Sequence, residues 1–260
     1  IAPALHRRQA GYGRGGRMKI EHDEAEITTG VAGGLTTGAP VTLRIINRDY
    51  ANQQAKPQPP LTVPRPGHAD LVGAAKYGHS NLRLVSERSS ARETAMRVAV
   101  GAVAQALLGQ LGMSVGSVVQ AIGGVQATLP DLPWPQLFAL AEQSDVRCPD
   151  DAAAAAMRLR IDEARRDKDT LGGVFVVVAL GAPVGLGSYV HWDRRLDARL
   201  AAAVMSIQAI KGVEIGDGFG LAARTGTQAQ DAIVPAAAPP GWQRPTNHAG
   251  GTEGGVSNGQ

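Results

Sequence analysis

Residues 19–27 alternate loosely between polar and apolar and predict a strand. Val41-Thr42-Leu43-Arg44-Ile45-Ile46 predicts a second. Gly33, Gly34 and Gly38 between them mark a turn, so a hairpin is expected. Residues 115–122 and the β-branched run 174–180 predict two further strands, the latter entered through the turn Asp169-Thr170-Leu171-Gly172-Gly173. Ser90-Ala91-Arg92-Glu93 reads as a capping box, with the serine hydroxyl on the N3 amide and Glu93 reaching back to the cap amide. The helix expected to follow, to about Leu111, is rich in Ala and Gly on all sides, the pattern of a buried helix. Residues 150–166 predict a charged surface helix capped by Asp150 or Asp151, and residues 195–206 a helix with Leu196, Leu200 and Val204 on one side. Residues 47–64 are polar and proline-rich and read as a long loop, a length often functional in compact domains. A Pro-rich connection carries Trp134. From Gly212 the chain turns Gly-rich and irregular, and the five glycines in residues 247–260 cannot form a core alone; they are expected to wrap something else. No internal repeat is evident.

With 260 residues, 43% of them hydrophobic, the chain can bury a full core as one large domain or two small ones. Aromatics are only 4% and glycines number 33, so that core is Ala, Val, Leu and Ile with close backbone approaches. One cysteine, Cys148, excludes an internal disulfide framework and fits a reducing compartment, hence a cytoplasmic location. No apolar run approaches the ~20 residues needed to span a bilayer, and no secretory signal opens the chain. It begins at Ile1 and ends at Gln260 inside a Gly-rich run; both ends read as cut, as in a piece of a longer protein.

The net charge of +3 is mild, but Arg7, Arg8, Arg14, Arg17 and Lys19 crowd the first segment. A solvated tail, an anion site and a nucleic-acid patch all produce such a run. Gly11-Tyr12-Gly13-Arg14-Gly15-Gly16 matches G-x-G-x-x-G, but a dinucleotide fingerprint needs a strand before it and a helix after it; here His6-Arg7-Arg8-Gln9 precedes and a strand follows. Arg14-Gly15-Gly16-Arg17 occurs once, whereas RNA-binding tails repeat such a unit. A loop turning guanidinium groups inward, to grip phosphate and carboxylate with paired hydrogen bonds, fits better. Arg88-Ser89-Ser90 is expected at a helix N-terminus, where open amides stabilise an anion, although Ser90 as a plain cap reads equally well. Arg92 beside the positive dipole end asks for an anionic partner, a ligand or Glu93. His68, in Arg65-Pro66-Gly67-His68-Ala69-Asp70, sits on a backbone fixed by proline and glycine, between Arg65 and Asp70, and is the candidate acid or base. The other histidines, His6, His22, His79, His191 and His248, have no companions at metal-ligand spacing, so no metal site is expected.

Taken together these blocks resemble the chorismate synthase family. The resemblance is carried by residues 7–18 (Arg-Arg-Gln-Ala-Gly-Tyr-Gly-Arg-Gly-Gly-Arg-Met), Thr36-Thr37-Gly38-Ala39-Pro40, Arg65-Pro66-Gly67-His68-Ala69-Asp70, Lys76-Tyr77-Gly78, and Arg88-Ser89-Ser90-Ala91-Arg92-Glu93-Thr94-Ala95. Residues 205–216 (Met-Ser-Ile-Gln-Ala-Ile-Lys-Gly-Val-Glu-Ile-Gly), Asn247-His248-Ala249-Gly250-Gly251 and Glu253-Gly254-Gly255 extend it over nearly the whole chain. It implies an α+β fold with helices sandwiched between antiparallel sheets, one domain over residues 1–260, and a homotetramer. It implies the 1,4-trans elimination of phosphate from 5-enolpyruvylshikimate 3-phosphate to give chorismate, in the shikimate pathway, with reduced FMN and no net redox change.

By resemblance His68 is the catalytic histidine set against the flavin. Arg8, Arg14, Arg17, Arg65 and Arg92 line the substrate pocket, and Arg88, Ser89, Ser90, Gln208, Ala209 and Gly254 contact the flavin. Arg8 and Arg14 also match positions associated with NADPH in forms that reduce their own flavin. The family's Gly-Glu-Ser-His-Gly block is expected before Ile1, and its Lys-Pro and Arg-x-Asp segments after Gln260. On that expectation the 260 residues alone show no turnover, and a catalytically inactive partial protein with residual flavin or anion binding is the alternative. A membrane partner is not implied, and a basic RNA-binding module is the weakest reading; it requires tight binding that falls steeply with salt.

Overall fold

The computed structural model of the chain describes residues 1–15, 22–50, 55, 58–239 and 241–260. They divide into two compact units, Ile1–Gly109 with Val115–Val178, and Gln110–Ser114 with Ala179–Gln260.

The first unit opens with α1 (Ala2–Gln9), which carries Pro3 in its first turn, where the missing N–H is no loss. Its last turn carries His6, Arg7 and Arg8, and Leu5 is its buried anchor. Next come β1 (Ala25–Thr29), β2 (Val31–Ala32), β3 (Leu35–Thr36) and β4 (Thr42–Ile45). β1 and β4 pair antiparallel from Ala25↔Ile45 to Thr29↔Thr42, with an irregularity between Ile27 and Thr29. β2 and β3 form a second small hairpin, turned by Gly33 and Gly34 at φ 58° and 80°; a two-residue turn with both φ positive is the one whose twist matches the strands it joins. The expected hairpin is therefore present, although its first strand starts at Ala25 and residues 19–21 of the expected strand lie outside the described residues.

α2 (Asp70–Tyr77), α3 (Arg83–Ser89), a 3₁₀ turn (Ala91–Glu93) and α4 (Thr94–Gln110) follow. Then come β5 (Ser114–Ile122), β6 (Val125–Gln126), α5 (Trp134–Gln143), α6 (Asp151–Asp167) and β7 (Gly173–Leu180), the strands forming one sheet in the order β6–β5–β7. Successive residues of β5 serve opposite faces, as the pleat requires. Val118 packs with Leu137 and Ala141 of α5, while Val119 packs against the cluster of Val146, Cys148 and Ala153, Ala154 and Met157 of α6. A Cβ on Gly116 would overlap the Phe138 ring, so this glycine lets α5 lie directly on the strand. Asp150 caps α6 by accepting the Ala153 amide. Met157 is fully buried, and Met157→Ala is expected to lower unfolding free energy by about 2–5 kcal/mol in denaturant titration, the cost of a core cavity.

The second unit holds α7 (Leu196–Met205), a 3₁₀ segment (Gly218–Ala223), the four-residue α8 (Gly226–Ala229) and two hairpins, β8 (Val234–Pro235) with β9 (Trp242–Gln243) and β10 (Thr252–Glu253) with β11 (Val256–Ser257). Two-residue strands are what the Gly-rich sequence permits.

Three expectations are corrected. The Pro-rich connection at Trp134 is the start of α5, because Pro133 occupies the cap and Pro135 the first turn, the positions where a helix accepts proline. α4 is not buried on all sides: only Ala95 and Ala99 are, while Val100 is 56% and Leu107 65% exposed. An apolar pattern states that a face needs cover without stating what covers it. Arg88 and Ser89 close α3 rather than open a helix, so Arg88 stands where a cation complements the helix dipole. No helix among the described residues is long and apolar enough to cross a membrane.

Candidate active site

Pro66 and Gly67 make the turn that carries His68. Proline presets the first central position, Gly67 takes φ 71° at the second, and the His68 amide donates to the Arg65 carbonyl at 3.3 Å. The chain then enters α2, whose first residue, Asp70, is fully buried. A buried carboxylate has to be hydrogen-bonded and paired. Asp70 Oδ2 accepts from the Arg65 backbone amide at 3.1 Å and from Arg65 Nε at 2.8 Å. Its Oδ1 accepts from Arg65 Nη2 at 3.0 Å and from the Ser86 hydroxyl at 3.1 Å, and lies 2.7 Å from His68 Nδ1. Ser86 sits on α3, which packs on α2 where Gly73 meets Val85, and it also accepts from Arg65 Nη2 at 2.6 Å. The Arg65 guanidinium holds the Asp70 carboxyl well below the usual carboxylate range, against the opposing push of burial, with the Arg65 amide, Ser86 and His68 adding to the effect. Asp70 is therefore ionised at neutral pH. Its contribution to stability is present above the ordinary carboxylate pKa and is lost as pH falls toward the depressed folded value.

A second cluster gathers residues far apart in sequence. Asp23, whose side chain is 1% exposed, accepts from Arg92 Nη1 at 2.7 Å and from Arg8 Nη1 at 3.2 Å. Arg8 Nε donates to Thr94 Oγ1 at 3.1 Å, tying the end of α1 to the start of α4. Ser90 caps the 3₁₀ turn by accepting the Arg92 amide at 3.2 Å, which aims the arginine. The full capping box is not formed: the serine bonds the second amide rather than the third, and Glu93 pairs with Arg97 one turn on. The anionic partner that Arg92 requires is thus Asp23.

The remaining expected residues are placed as follows. Arg14 is exposed on the loop after α1, which is pinned where the Tyr12 amide donates to the Asp145 carbonyl at 2.9 Å and the Tyr12 hydroxyl to Asp162 at 2.8 Å. Arg17 lies outside the described residues. The G-x-G-x-x-G stretch is preceded by α1 rather than a strand, which removes the dinucleotide geometry. Arg88 is exposed, and Ser89 donates to the Val85 carbonyl at 2.8 Å.

Gln208, Ala209 and Gly254 belong to the second unit. Ala209 is exposed at φ 69°, a left-handed conformation that a non-glycine residue keeps only when its surroundings impose it. Gly254 turns the β10–β11 hairpin at φ 59°, with open space where a side chain would stand, and lines a cleft of about 470 Å³ with Gln230, Asp231, Ala249 and Glu253. The glycine-rich end wraps part of its own unit. Asp231 accepts from Thr246 Oγ1 and from the amides of His248 and Ala249 at 2.6–2.9 Å, and a Cβ on Gly216 would overlap the His248 carbonyl. His248 Nδ1 lies 2.6 Å from Asp217 Oδ2, within hydrogen-bond distance of that carboxylate.

Sequence reasoning missed Asp23, Ser86, Asp217 and Asp231 as partners; none stands at a spacing that advertises its contact. Among the described residues no group of three or more His, Cys, Asp or Glu side chains is placed to hold a metal ion.

The family described as "Chorismate synthase" matches residues 1–260. The chorismate synthase of Trichlorobacter lovleyi is 55% identical over 271 residues, covering 98% of this chain and 69% of that protein. That of Desulforudis audaxviator is 54% identical over 265 residues, covering 98% and 68%. Among solved structures, a crystal structure of chorismate synthase matches with a TM-score of 0.83 at 42% identity, over 99% of this chain and 71% of that one.

Proposed function

Because the chain belongs to the chorismate synthase family, a family of lyases, we propose that it catalyses the 1,4-trans elimination of phosphate from 5-enolpyruvylshikimate 3-phosphate, a step of the shikimate pathway of aromatic amino acid biosynthesis. The observation that carries this reading is the meeting of Arg8 and Arg92, 84 positions apart, at the one carboxylate of Asp23, in the same unit that holds Arg65 and His68 around Asp70. Two guanidinium groups on one carboxylate keep a net positive charge, which suits a substrate that brings one phosphate and two carboxylates, each able to take two parallel N–H donors.

The donor set of the chain suits FMN. Taken unit by unit, Arg88 in the first offers a phosphate a two-pronged donor, and in the second Ala209 is exposed and Gly254 has open space where a side chain would stand, so each leaves room for a ligand beside the main chain. Reduced FMN, when bound, supplies electron density that the elimination borrows and returns. Arg8, Arg14, Arg17, Arg65 and Arg92 bind and orient the substrate, and Arg92 is held for that task by Asp23. His68 holds or donates the proton exchanged at the flavin side of the site. Arg8 and Arg14 are also the residues to meet NADPH if the protein reduces its own flavin. The exposed Val100, Leu107 and Leu111 on and after α4 support assembly of copies, for which we take the family's homotetramer.

Ligand linkage tests the reading without turnover. A ligand that binds only the folded state, present at 100 times its Kd, stabilises by about 2.7 kcal/mol. Reduced FMN with substrate is therefore expected to raise the thermal midpoint of the full-length protein by several degrees; an unchanged midpoint at saturating concentrations argues against the site.

A further inference from the structure

We infer that Asp70, braced by Ser86, is a positioning residue that fixes His68 with its proton on Nδ1 and leaves Nε2 as the atom through which the ring exchanges protons. This rests on the proton-transfer role proposed for His68.

An ionised carboxylate only accepts hydrogen bonds, so the 2.7 Å contact between Asp70 Oδ1 and His68 Nδ1 requires the hydrogen on Nδ1. The carboxylate cannot swing away to release the ring. Its Oδ2 is taken by the Arg65 amide and Nε, and its Oδ1 by Arg65 Nη2 and Ser86 Oγ. Arg65 Nη2 lies 3.2 Å from both nitrogens of the imidazole. A point in the ring plane equidistant from the two would collide with Cε1, so the guanidinium lies over the ring face and does not claim Nε2 as an edge-on partner. The ring is thus held at one edge by Asp70, over one face by Arg65, and at its backbone by the Pro66-Gly67 turn, with about a quarter of its side chain (26%) still exposed. A carboxylate behind a working imidazole selects its tautomer and orientation, and loss of the same kind of outer partner from a metal-bound histidine typically costs 10–100-fold in affinity or activity.

The rival explanation is that Asp70 merely pairs Arg65 at the start of α2. Nitrogen-15 NMR of labelled imidazole in the full-length protein, at a pH where the ring is neutral, separates the two. The expected spectrum has His68 as the Nδ1–H form, against the Nε2–H form that free imidazole side chains prefer. Asp70→Asn is expected to shift His68 toward Nε2–H, the readout that a merely structural role would not move, and to lower kcat about 10–100-fold. Ser86→Ala, which removes one brace, is expected to lower kcat by about tenfold, the lower end of the worth of a hydrogen bond to a charged group. An Nε2–H His68 in the unsubstituted protein overturns the proposal, as does an Asp70→Asn kcat within about twofold of normal. If Asp70→Asn does not fold, the spectrum of the unsubstituted protein and the kinetics of Ser86→Ala decide alone. Failure of the functional reading is visible separately, as an unsubstituted protein with no turnover of 5-enolpyruvylshikimate 3-phosphate, while the tautomer spectrum still reports what Asp70 does to the ring.

Discussion

His68→Ala in the full-length protein is expected to lower the rate of chorismate formation by roughly 10²-fold or more, with substrate and flavin binding nearly unchanged. Positioned proton transfer contributes typically 10²–10⁴-fold. His68 is placed for it by a proline-glycine turn, by the buried Asp70 at its Nδ1 edge and by Arg65 against its face. The ring stands outside the buried apolar clusters of the described residues, so its removal is expected to leave the fold standing. Stopped-flow measurement of chorismate formation under reducing conditions reads the loss, and near-normal turnover removes His68 from the proton path. Binding of the unreacted substrate with oxidised FMN serves as the control.

Arg92→Ala is expected to weaken substrate binding about 10–100-fold and, unlike His68→Ala, to lower stability as well. A hydrogen bond to a charged group is worth about 1.5–3 kcal/mol, which converts to that range of affinity. The stability cost arises because Asp23, only 1% exposed at its side chain, then loses the closer Arg92 fork and, among the described residues, keeps Arg8 at 3.2 Å. Breaking a buried ion pair by removing one partner costs about 3–5 kcal/mol, and more than the pair's net worth, because the remaining charge is left poorly compensated. Arg92→Lys is expected to restore part of the stability and little of the affinity, since an ammonium carries the charge but not the planar fork. Calorimetric titration with substrate and oxidised FMN, beside thermal unfolding of each variant, separates the two effects. A normal affinity in Arg92→Ala assigns the arginine to structure alone.

Which parts of this were legible from the sequence follows from the range of each interaction. β5, β7, α6 and α7 were legible because their signals are local: β-branched runs, a capping aspartate, one apolar stripe. α5 was not, because Pro-Trp-Pro reads as a helix breaker until the prolines are placed at the cap and first turn. The exposed face of α4 was not, because apolarity does not say where its cover comes from. In the site, His68, Arg65 and Asp70 share one short motif, so their proximity was readable, but Ser86 reaches them only through the packing of α2 on α3. Arg8 and Arg92 were readable from family blocks, whereas Asp23, the carboxylate that joins them, stands in an unremarkable run before β1. The arginines were read as meeting an anion; that one such anion is a buried side chain of the protein is a long-range fact that no local pattern encodes.

The decisive measurement follows phosphate and chorismate together when the full-length protein meets 5-enolpyruvylshikimate 3-phosphate without oxygen. The expected result is catalytic release of the two products in equal amounts with reduced FMN, and none with oxidised FMN. Absence of phosphate release under reducing conditions, with folded protein and saturating ligands, contradicts the proposed reaction.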